Sequence, residues 1–425
     1  MFEEARGKKL LIIGGEANIS NIVTQAKEMG VYTIVAERGN DTCKLPAKAI
    51  ADEAWDMDYS DIDGLAKKCL EVGVNGVFSG YSEGKVFYAA QLAQKLGTPF
   101  YVTPEQIELT RNKRVFKELC TKNGIPTPKE YCKNGRVCDL DKDSIEYPVI
   151  VKPADYGGRI GITICYNREE LDDALSLAEQ NSITHTVVVE EYLSGMELTA
   201  IYTIVDGQIS LSIINDKYLS REGEKYACLC DVAITPSRFY QLYLDTVDAK
   251  IKNFLRDIGV KNGIAGFQLI ATDEKIVAFE MGLRLNGGND WKILDRCNGI
   301  NHMKMLINHS LTGSMGDSVE KDNPRIKQFM ATYVMYAHGG EVGHVDYPEM
   351  EENKNLLDVS KYVYVGKNIL DKGTTQQRVI SFKLRADTLE EMAESIQCIQ
   401  NRVKANDIDG QNMLFKRFDV ARFFE

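Results

Sequence analysis

The chain is poor in histidine and tryptophan and has no paired cysteine motif. Its five histidines are scattered, with no HExxH spacing, which argues against a zinc site. Ten cysteines stand at 43, 69, 120, 132, 138, 165, 228, 230, 297 and 398, and none forms a CxxC pair. Thiols dispersed in this way are expected to be free and reduced, which points to a cytoplasmic protein. No apolar run approaches the roughly 18 residues of a membrane span. The early "LLII" (10–13) is too short for a signal peptide. Positive charge is not in excess either: the net charge is −11. That argues against nucleic acid and anionic membrane as partners, because both are bound through accumulated Lys and Arg. A small anionic ligand in a local basic pocket remains compatible with it.

What is present is alternation. At 425 residues the chain has room for about two to four domains. "KKLLIIGG" (8–15) is a buried-strand run closed by glycines, and "NISNIVTQAKEMG" (18–30) has helical apolar spacing. "VYTIVAE" (31–37), "VNGVFSG" (74–80) and "GTPFYV" (97–102) read as further strands, with the helix "EGKVFYAAQLAQKLG" between the last two. Strands alternating with helices imply a parallel sheet. Gly14-Gly15 would face an anion at a helix start, but the GxGxxG fingerprint of dinucleotide sites is absent. From "TPEQ" (103–106) one helix is expected through "IELTRNKRVFKELCTKNG". Strands then dominate: "YPVIVKP", "IGITIC", "HTVVVEEYL", and a hairpin turning at Asp206-Gly207. A helix at about 237–258 precedes a second hairpin over 263–288. The tail mixes strands with an amphipathic helix over 387–405. The expected fold class is α/β and α+β. Three regions are expected: a Rossmann-like domain over 1–103, a central nucleotide-binding region over 104–324, and a small α+β lobe over 325–425.

Three stretches carry chemistry. In "VIVKPADYGGRIGI" (149–162) a lysine sits inside a strand and a glycine loop follows. Lys152 would meet phosphate, and Gly157, Gly158 and Gly161 would let the backbone approach it. A strand-end lysine that adds little to stability gives the same pattern. In "TVVVEEYLSGME" (186–197) a strand ends in acids. Glu190 and Glu197 could accept from an adenine amino group and a ribose diol, with the backbone of Glu191 to Leu193 along the base edge. In "EMGLRLN", Glu280, Gly282, Arg284 and Asn286 share one side if the strand continues to 286. Gln268 lies twelve residues before Glu280, and a three-residue turn at 273–275 would set the two directly opposite. Paired oxygen ligands of that kind suit Mg²⁺ on nucleotide phosphates, and Arg284 suits a transferred phosphate.

In this order, a helix lysine (Lys113), a strand lysine with a glycine loop, a strand-then-EExL hinge and a hairpin ending in E-x-G-x-R resemble the ATP-grasp superfamily. The resemblance covers nearly the whole chain. It implies that 1–103 is the pre-ATP-grasp domain, 104–324 the ATP-grasp region and 325–425 the small C-terminal lobe. It implies ATP contacts from Lys113, Lys152, Gly157 and Gly158, an adenine pocket from Glu190, Glu191 and Leu193, and a ribose contact from Glu197. Glu280 would bind Mg²⁺, with Gln268 and Asn286 as further ligands, and Arg284 and Lys152 would be catalytic. Many members have a carboxylate at the position of Gln268 and Asn at that of Gly282, so either one or two Mg²⁺ ions fit.

The activity implied is ATP-dependent activation of a carboxylate as an acyl phosphate, then attack by an amine. Small-molecule carboxylate and amine substrates are the expected partners, with a homodimer as the candidate assembly. The layout resembles phosphoribosylglycinamide synthetase and the amino-acid ligases, and the sequence does not separate them. Biotin carboxylase fits less well, because its longer glycine run and the segment after its arginine do not match "LRLNGGND". A full carbamoyl-phosphate synthase large chain would show an internal repeat. The competing class is a nucleotide-binding module without turnover, motivated by Gln268 and Gly282. A Rossmann oxidoreductase lacks its fingerprint.

Overall fold

The computed structural model describes residues 2–132, 135–155, 161–223, 229–348 and 353–425. The N-terminal region is wound as expected: β1 (Lys9–Ile13), α1 (Ala17–Glu28), β2 (Tyr32–Ala36), α2 (Pro46–Ile50), β3 (Glu53–Trp55), α3 (Ile62–Val72), β4 (Gly76–Phe78) and α4 (Glu83–Leu96). The four strands are parallel in the order β3-β2-β1-β4. The apolar runs in β1 and β2 are continuous because both faces are buried. Sequence reading passes over α2, β3 and α3. It also overreads 97–102, which is not a strand. Gly97 closes α4 in the left-handed region (φ 68°). Tyr101 and Val102 are then buried in a turn that leads into the Thr103 capping box of the next helix.

That helix is not continuous. α5 (Pro104–Arg111) and α6 (Lys113–Lys122) meet at Asn112, which ends the first and caps the second. Its side chain accepts from the Arg114 and Val115 N–H groups at 3.1 and 3.2 Å, satisfying two amides that a helix start leaves open. A small antiparallel sheet follows, from β5 (Val149–Pro153), β6 (Thr163–Cys165) and, after α7 (Leu171–Gln180), β7 (Val187–Glu191), in the order β6-β5-β7. Val149, Val151 and Val189 share a core with Leu171, Leu175 and Ala178 of α7. By strand alternation the opposite face carries Lys152 and Glu190.

The largest sheet has eight strands. β8 (Met196–Val205) and β9 (Gln208–Leu219) form the expected hairpin, with Asp206 and Gly207 both at positive φ. β10 (Cys230–Thr235) comes next. Then α8 (Tyr240–Tyr243), a π-helical turn (Leu244–Asp248) and α9 (Ala249–Asp257) make up the expected helix at 237–258. β11 (Gly263–Ala271) and β12 (Ile276–Gly282) form the second hairpin, ahead of α10 (Trp291–Asn298) and α11 (His302–Thr312). The strand does not continue to 286, but burial still alternates through Leu283 and Leu285. The tail adds β13 (Phe329–Tyr336), β14 (Gly340–Asp346), β15 (Leu356–Lys361), β16 (Asn368–Ile369), β17 (Arg378–Ala386), α12 (Leu389–Arg402) and β18 (Lys404–Asp407). The sheet order is β12-β11-β8-β9-β10-β13-β17-β15. It therefore runs without interruption across residue 324, where the tail begins. β14, β16 and β18 form a separate three-stranded sheet. Among the described residues no helix is long and apolar enough to cross a membrane.

The parallel sheet packs closely on α11. A Cβ on Gly76 would lie 2.1 Å from the Ser310 carbonyl oxygen, and neither backbone can yield without opening that contact. Gly76→Ala should therefore cost about 1–3 kcal/mol, read as a lower urea midpoint at unchanged slope. An unchanged midpoint would show that β4 and α11 are not tightly joined.

Candidate functional site

The site begins with an amphipathic helix. Phe116 of α6 packs edge-on against Phe254 with ring centroids 5.8 Å apart, and Phe254 does the same with Phe267 of β11 at 5.6 Å. Burial of each ring contributes about 1.5–3 kcal/mol and fixes how α6 is rotated. Lys113 and Lys117, one turn apart, lie on an adjoining stripe. The Asn112 break puts Lys113 at the helix start, beside the end of β5. Its N–H donates to the Ala154 carbonyl at 3.4 Å and its ammonium to the Pro153 carbonyl at 3.3 Å.

Lys152 is 5% exposed and Glu190 2%. Lys152 forms an ion pair with one oxygen of Glu190, and Lys117 of α6 with the other. Lys117 also lies 3.4 Å from Glu130. Burial pushes the Glu190 carboxyl up, but Lys152 and Lys117 outweigh it and hold the pKa below the ordinary range. Two sequence expectations change here. Glu190 does not offer its side chain to an adenine amino group, because its carboxylate is buried and committed to two lysines. Lys152 is not an incidental strand-end charge, because it helps neutralise a buried anion.

The EExL hinge is partly committed as well. Glu191 accepts from the Lys129 N–H at 2.9 Å and gives its own N–H to the Lys129 carbonyl at 2.9 Å. The Tyr192 N–H goes to the Pro148 carbonyl at 3.0 Å. The next amide, that of half-buried Leu193, has no hydrogen-bond partner among the described residues. Glu197 accepts from Lys217 at 2.6 Å, directly across the β8–β9 ladder. Gly157 and Gly158 lie outside the described residues. Gly161 has φ 73°, and a Cβ there would come within 2.9 Å of Asn181 and 3.0 Å of Pro153.

The second hairpin brings Gln268 and Glu280 face to face, as expected. The route differs from the expected one. The loop is Thr272–Lys275, closed by a bond from the Thr272 N–H to the Lys275 carbonyl at 2.9 Å. Alone, that loop would pair Gln268 with Phe279. A bulge between the 268/280 and 269/278 pairs inserts Phe279 as an extra residue and restores the 268/280 register. Phe279 and Glu280 are both half-buried.

Arg284 meets a partner that sequence reading missed. Its Nε donates to Glu83, the first residue of α4, at 3.2 Å, and another nitrogen donates to the Leu285 carbonyl at 3.1 Å. The Leu285 N–H donates to the Gly80 carbonyl at 3.0 Å, so the N-terminal domain seats this segment. A Cβ on Gly282 would lie 2.9 Å from the Glu83 carboxylate. Glycine at 282 therefore leaves room for the Glu83–Arg284 pair. Asn286 is held in a closed turn: it donates to the Asp290 carboxylate at 2.5 Å and accepts from the Asp290 N–H at 3.2 Å. From the C-terminal strands, Arg378 donates to the Gly287 carbonyl at 3.0 Å, and buried Lys383 donates to the Gly288 carbonyl.

These pieces converge on Lys113. Burial lowers the pKa of its ammonium. Glu280 opposes that effect, Lys152 adds to it, and Glu83 and Glu190 oppose it in turn. Groups from α4, α6, β5, β7 and β12 thus act on one charge. Among the described residues, no three His, Cys, Asp or Glu side chains gather as a metal cage. The donors that do face each other are a carboxylate and an amide, both hard oxygen. They fit Mg²⁺ if phosphate and water complete its shell. Sequence reading also missed Lys117, although its i, i+4 spacing from Lys113 was a visible signal.

The buried Glu190 pair carries a stability prediction. Lys152→Ala leaves a buried carboxylate with one lysine and should cost about 3 kcal/mol. Because the folded pKa of Glu190 is lowered, its contribution is full above the ordinary carboxylate value. It is lost as pH falls through the folded pKa. Glu190→Gln should therefore flatten the acid limb of the stability–pH curve in urea titrations. A wild-type acid limb in that variant would remove Glu190 as a stability determinant.

Residues 121–226 match the family described as D-ala D-ala ligase C-terminus. A phosphoribosylamine–glycine ligase of Fusobacterium nucleatum is 23% identical over 316 residues, covering 70% of this chain and 73% of that protein. The solved L-amino acid ligase from Bacillus licheniformis superposes with a TM-score of 0.79 at 19% identity, over 95% of this chain and 99% of that one. Similar in fold is a biotin carboxylase domain dimer of the Hydrogenobacter thermophilus 2-oxoglutarate carboxylase, solved with MgADP, ADP and bicarbonate. Its TM-score is 0.75 at 19% identity, over 94% of this chain and 91% of that one. The chain spans 46% and 17% of the length of the first two curated relatives it matches. Residues 121–226 thus match a family described as D-ala D-ala ligase C-terminus, and nearly the whole chain shares the fold of the solved L-amino acid ligase and biotin carboxylase structures.

Proposed function

We propose that this protein is an ATP-dependent carboxylate–amine ligase. The single observation that supports it best is the hairpin register that sets Gln268 opposite Glu280. A plain nucleotide-binding module would need the lysines. It would not need the Glu280–Gln268 pair or an arginine held by a domain beyond the nucleotide face. In this reading Lys113 and Lys152 bind the nucleotide's phosphates, and Gly157 and Gly158 contact them as well. The backbone from Glu191 to Leu193 reads the adenine edge, with the Leu193 N–H as the available donor. Glu197 faces the ribose and also holds Lys217. Glu190 sets the positions of both lysines and does not touch the base. Glu280 and Gln268 hold Mg²⁺, which when bound neutralises phosphate charge during transfer. Asn286 serves best as the clamp of the 286–290 turn.

The chemistry is a phosphoryl transfer followed by an acyl transfer. A substrate carboxylate oxygen takes the γ-phosphoryl group of ATP and ADP leaves. An amine then attacks the acyl carbon, phosphate leaves, and the amine's proton passes to solvent. Arg284 stabilises charge on the transferred group, and Glu83 aims Arg284. The amine and the carboxylate are small molecules, and amino acids and phosphoribosylamine head the candidates. A homodimer is the proposed assembly.

Two measurements test the reading. A screen of amino acids and phosphoribosylamine should reveal a carboxylate–amine pair that releases ADP and phosphate in equal amounts. ATP binding with no turnover for any pair would favour the binding-module class. In a Mg²⁺ titration, Glu280→Gln should lower turnover about 100-fold or more while ATP still binds. Gln268→Glu should lower the Mg²⁺ needed for half-maximal activity, because it adds a second charge opposite the first. If Glu280→Gln stays active and Gln268→Glu leaves the midpoint unchanged, the hairpin face is structural only.

A further inference from the structure

A cationic cavity shares no lining residue with the Lys113 cradle. A cavity of 610 Å³ opens where the end of α10 meets β13, β15, β17 and the connection over 321–328. Cavities of about 300–1,000 Å³ hold small-molecule ligands. Twelve residues line this one. Five are cations, Arg296, Lys321, Arg325, Lys327 and Arg385, and none is Asp or Glu. That is the reverse of the chain's composition, in which 62 acids outnumber 51 Lys and Arg. All five are solvent-exposed, and among the described residues only Lys321 faces a carboxylate, that of Asp317 at 3.7 Å. Arg325, Lys327 and Arg385 make no ion pair with a carboxylate among the described residues. Arg325 stands over the Tyr240 ring at 5.9 Å. Arg296 donates to the Leu357 carbonyl at 3.2 Å, so its guanidinium is fixed at the rim. Arg385 stands directly across from Met330 in the β13–β17 ladder. Cys297 adds no negative charge, since burial pushes its thiol up to about 11.

Five like charges around one small space repel one another, and a counter-charge relieves that cost. We propose that this cavity binds a small polyanion bearing phosphate groups, as a site separate from the ATP cradle. Three arginines favour phosphate through their planar, bidentate donor geometry. The apolar floor of Ile326, Met330 and Leu357 suits a ligand with an organic body behind its anionic end. A nucleic acid is disfavoured by the net charge of −11. The region is joined to the proposed reaction site by one element. α10 starts just after the turn that Asn286 and Asp290 close, and its other end supplies Arg296, Cys297 and Asn298. Its eight residues span about 12 Å.

The test uses inorganic pyrophosphate as the probe and the full chain saturated with a non-hydrolysable ATP analogue, so that the first site is filled. Calorimetry should then show one further pyrophosphate site that weakens as KCl is raised. Lys327→Glu with Arg385→Glu, both exposed, should weaken it about tenfold or more and leave affinity for the analogue unchanged. Arg325→Glu, made separately, should also weaken it and guards against a folding defect in the pair. The titration is repeated without the analogue, and the variant-sensitive site should appear again, so failure of the ATP reading would not hide it. Absence of the second site, or pyrophosphate binding that these substitutions leave unchanged, would overturn the proposal. Tighter binding of citrate than of pyrophosphate would overturn its phosphate assignment.

Discussion

Burial of one carboxylate fixes how α6 meets the small sheet. Glu190 is buried near the end of β7, and an unpaired anion at that depth would cost several kcal/mol. Lys152 reaches it from the neighbouring strand and Lys117 from a helix. The three-membered arrangement ties α6 to the small sheet more firmly than apolar packing alone, because α7 covers the other side of that sheet. Once α6 is docked, the Asn112 break delivers Lys113 to the end of β5. The positions of the two lysines proposed to hold phosphate thus follow from a residue proposed to touch no ligand.

The β11–β12 hairpin follows from a different constraint. Glu280 can face Gln268 only if the four-residue loop is offset by one extra residue, and Phe279 supplies it. Beyond the end of β12, Arg284 meets Glu83 of the N-terminal domain. Glycine at 282 belongs to the same arrangement, since a side chain would enter the space of the Glu83 carboxylate.

Much of this was legible from periodicity. The parallel strands announced themselves as continuous apolar runs and both hairpins as alternating ones. The 268/280 pairing was reached by two offsetting errors, a turn one residue too short and no bulge, because a loop length and a bulge shift the register in the same way. The break at Asn112 was readable as a capping signal inside "TRNKRV", but unbroken helical spacing on either side concealed it. The role of Glu190 was not readable, since one of its partners is 38 residues away. Nor was that of Glu83, whose partner is 201 residues away. Chemistry that depends on a partner across the fold leaves no local mark, whereas chemistry carried by a strand end and its loop does.

The eight-stranded sheet crosses the point where the C-terminal lobe begins, and this bears on how the chain can be divided. β13 is buried along nearly its whole length and hydrogen-bonds to β10 on one side and β17 on the other. Cutting the chain near residue 324 would leave β10 with an open row of backbone donors and acceptors and an uncovered apolar face. An edge of that kind pairs readily with other chains. A fragment ending there would be prone to self-association, so the two regions, distinct in sequence, behave as one piece when expressed, cleaved or fused.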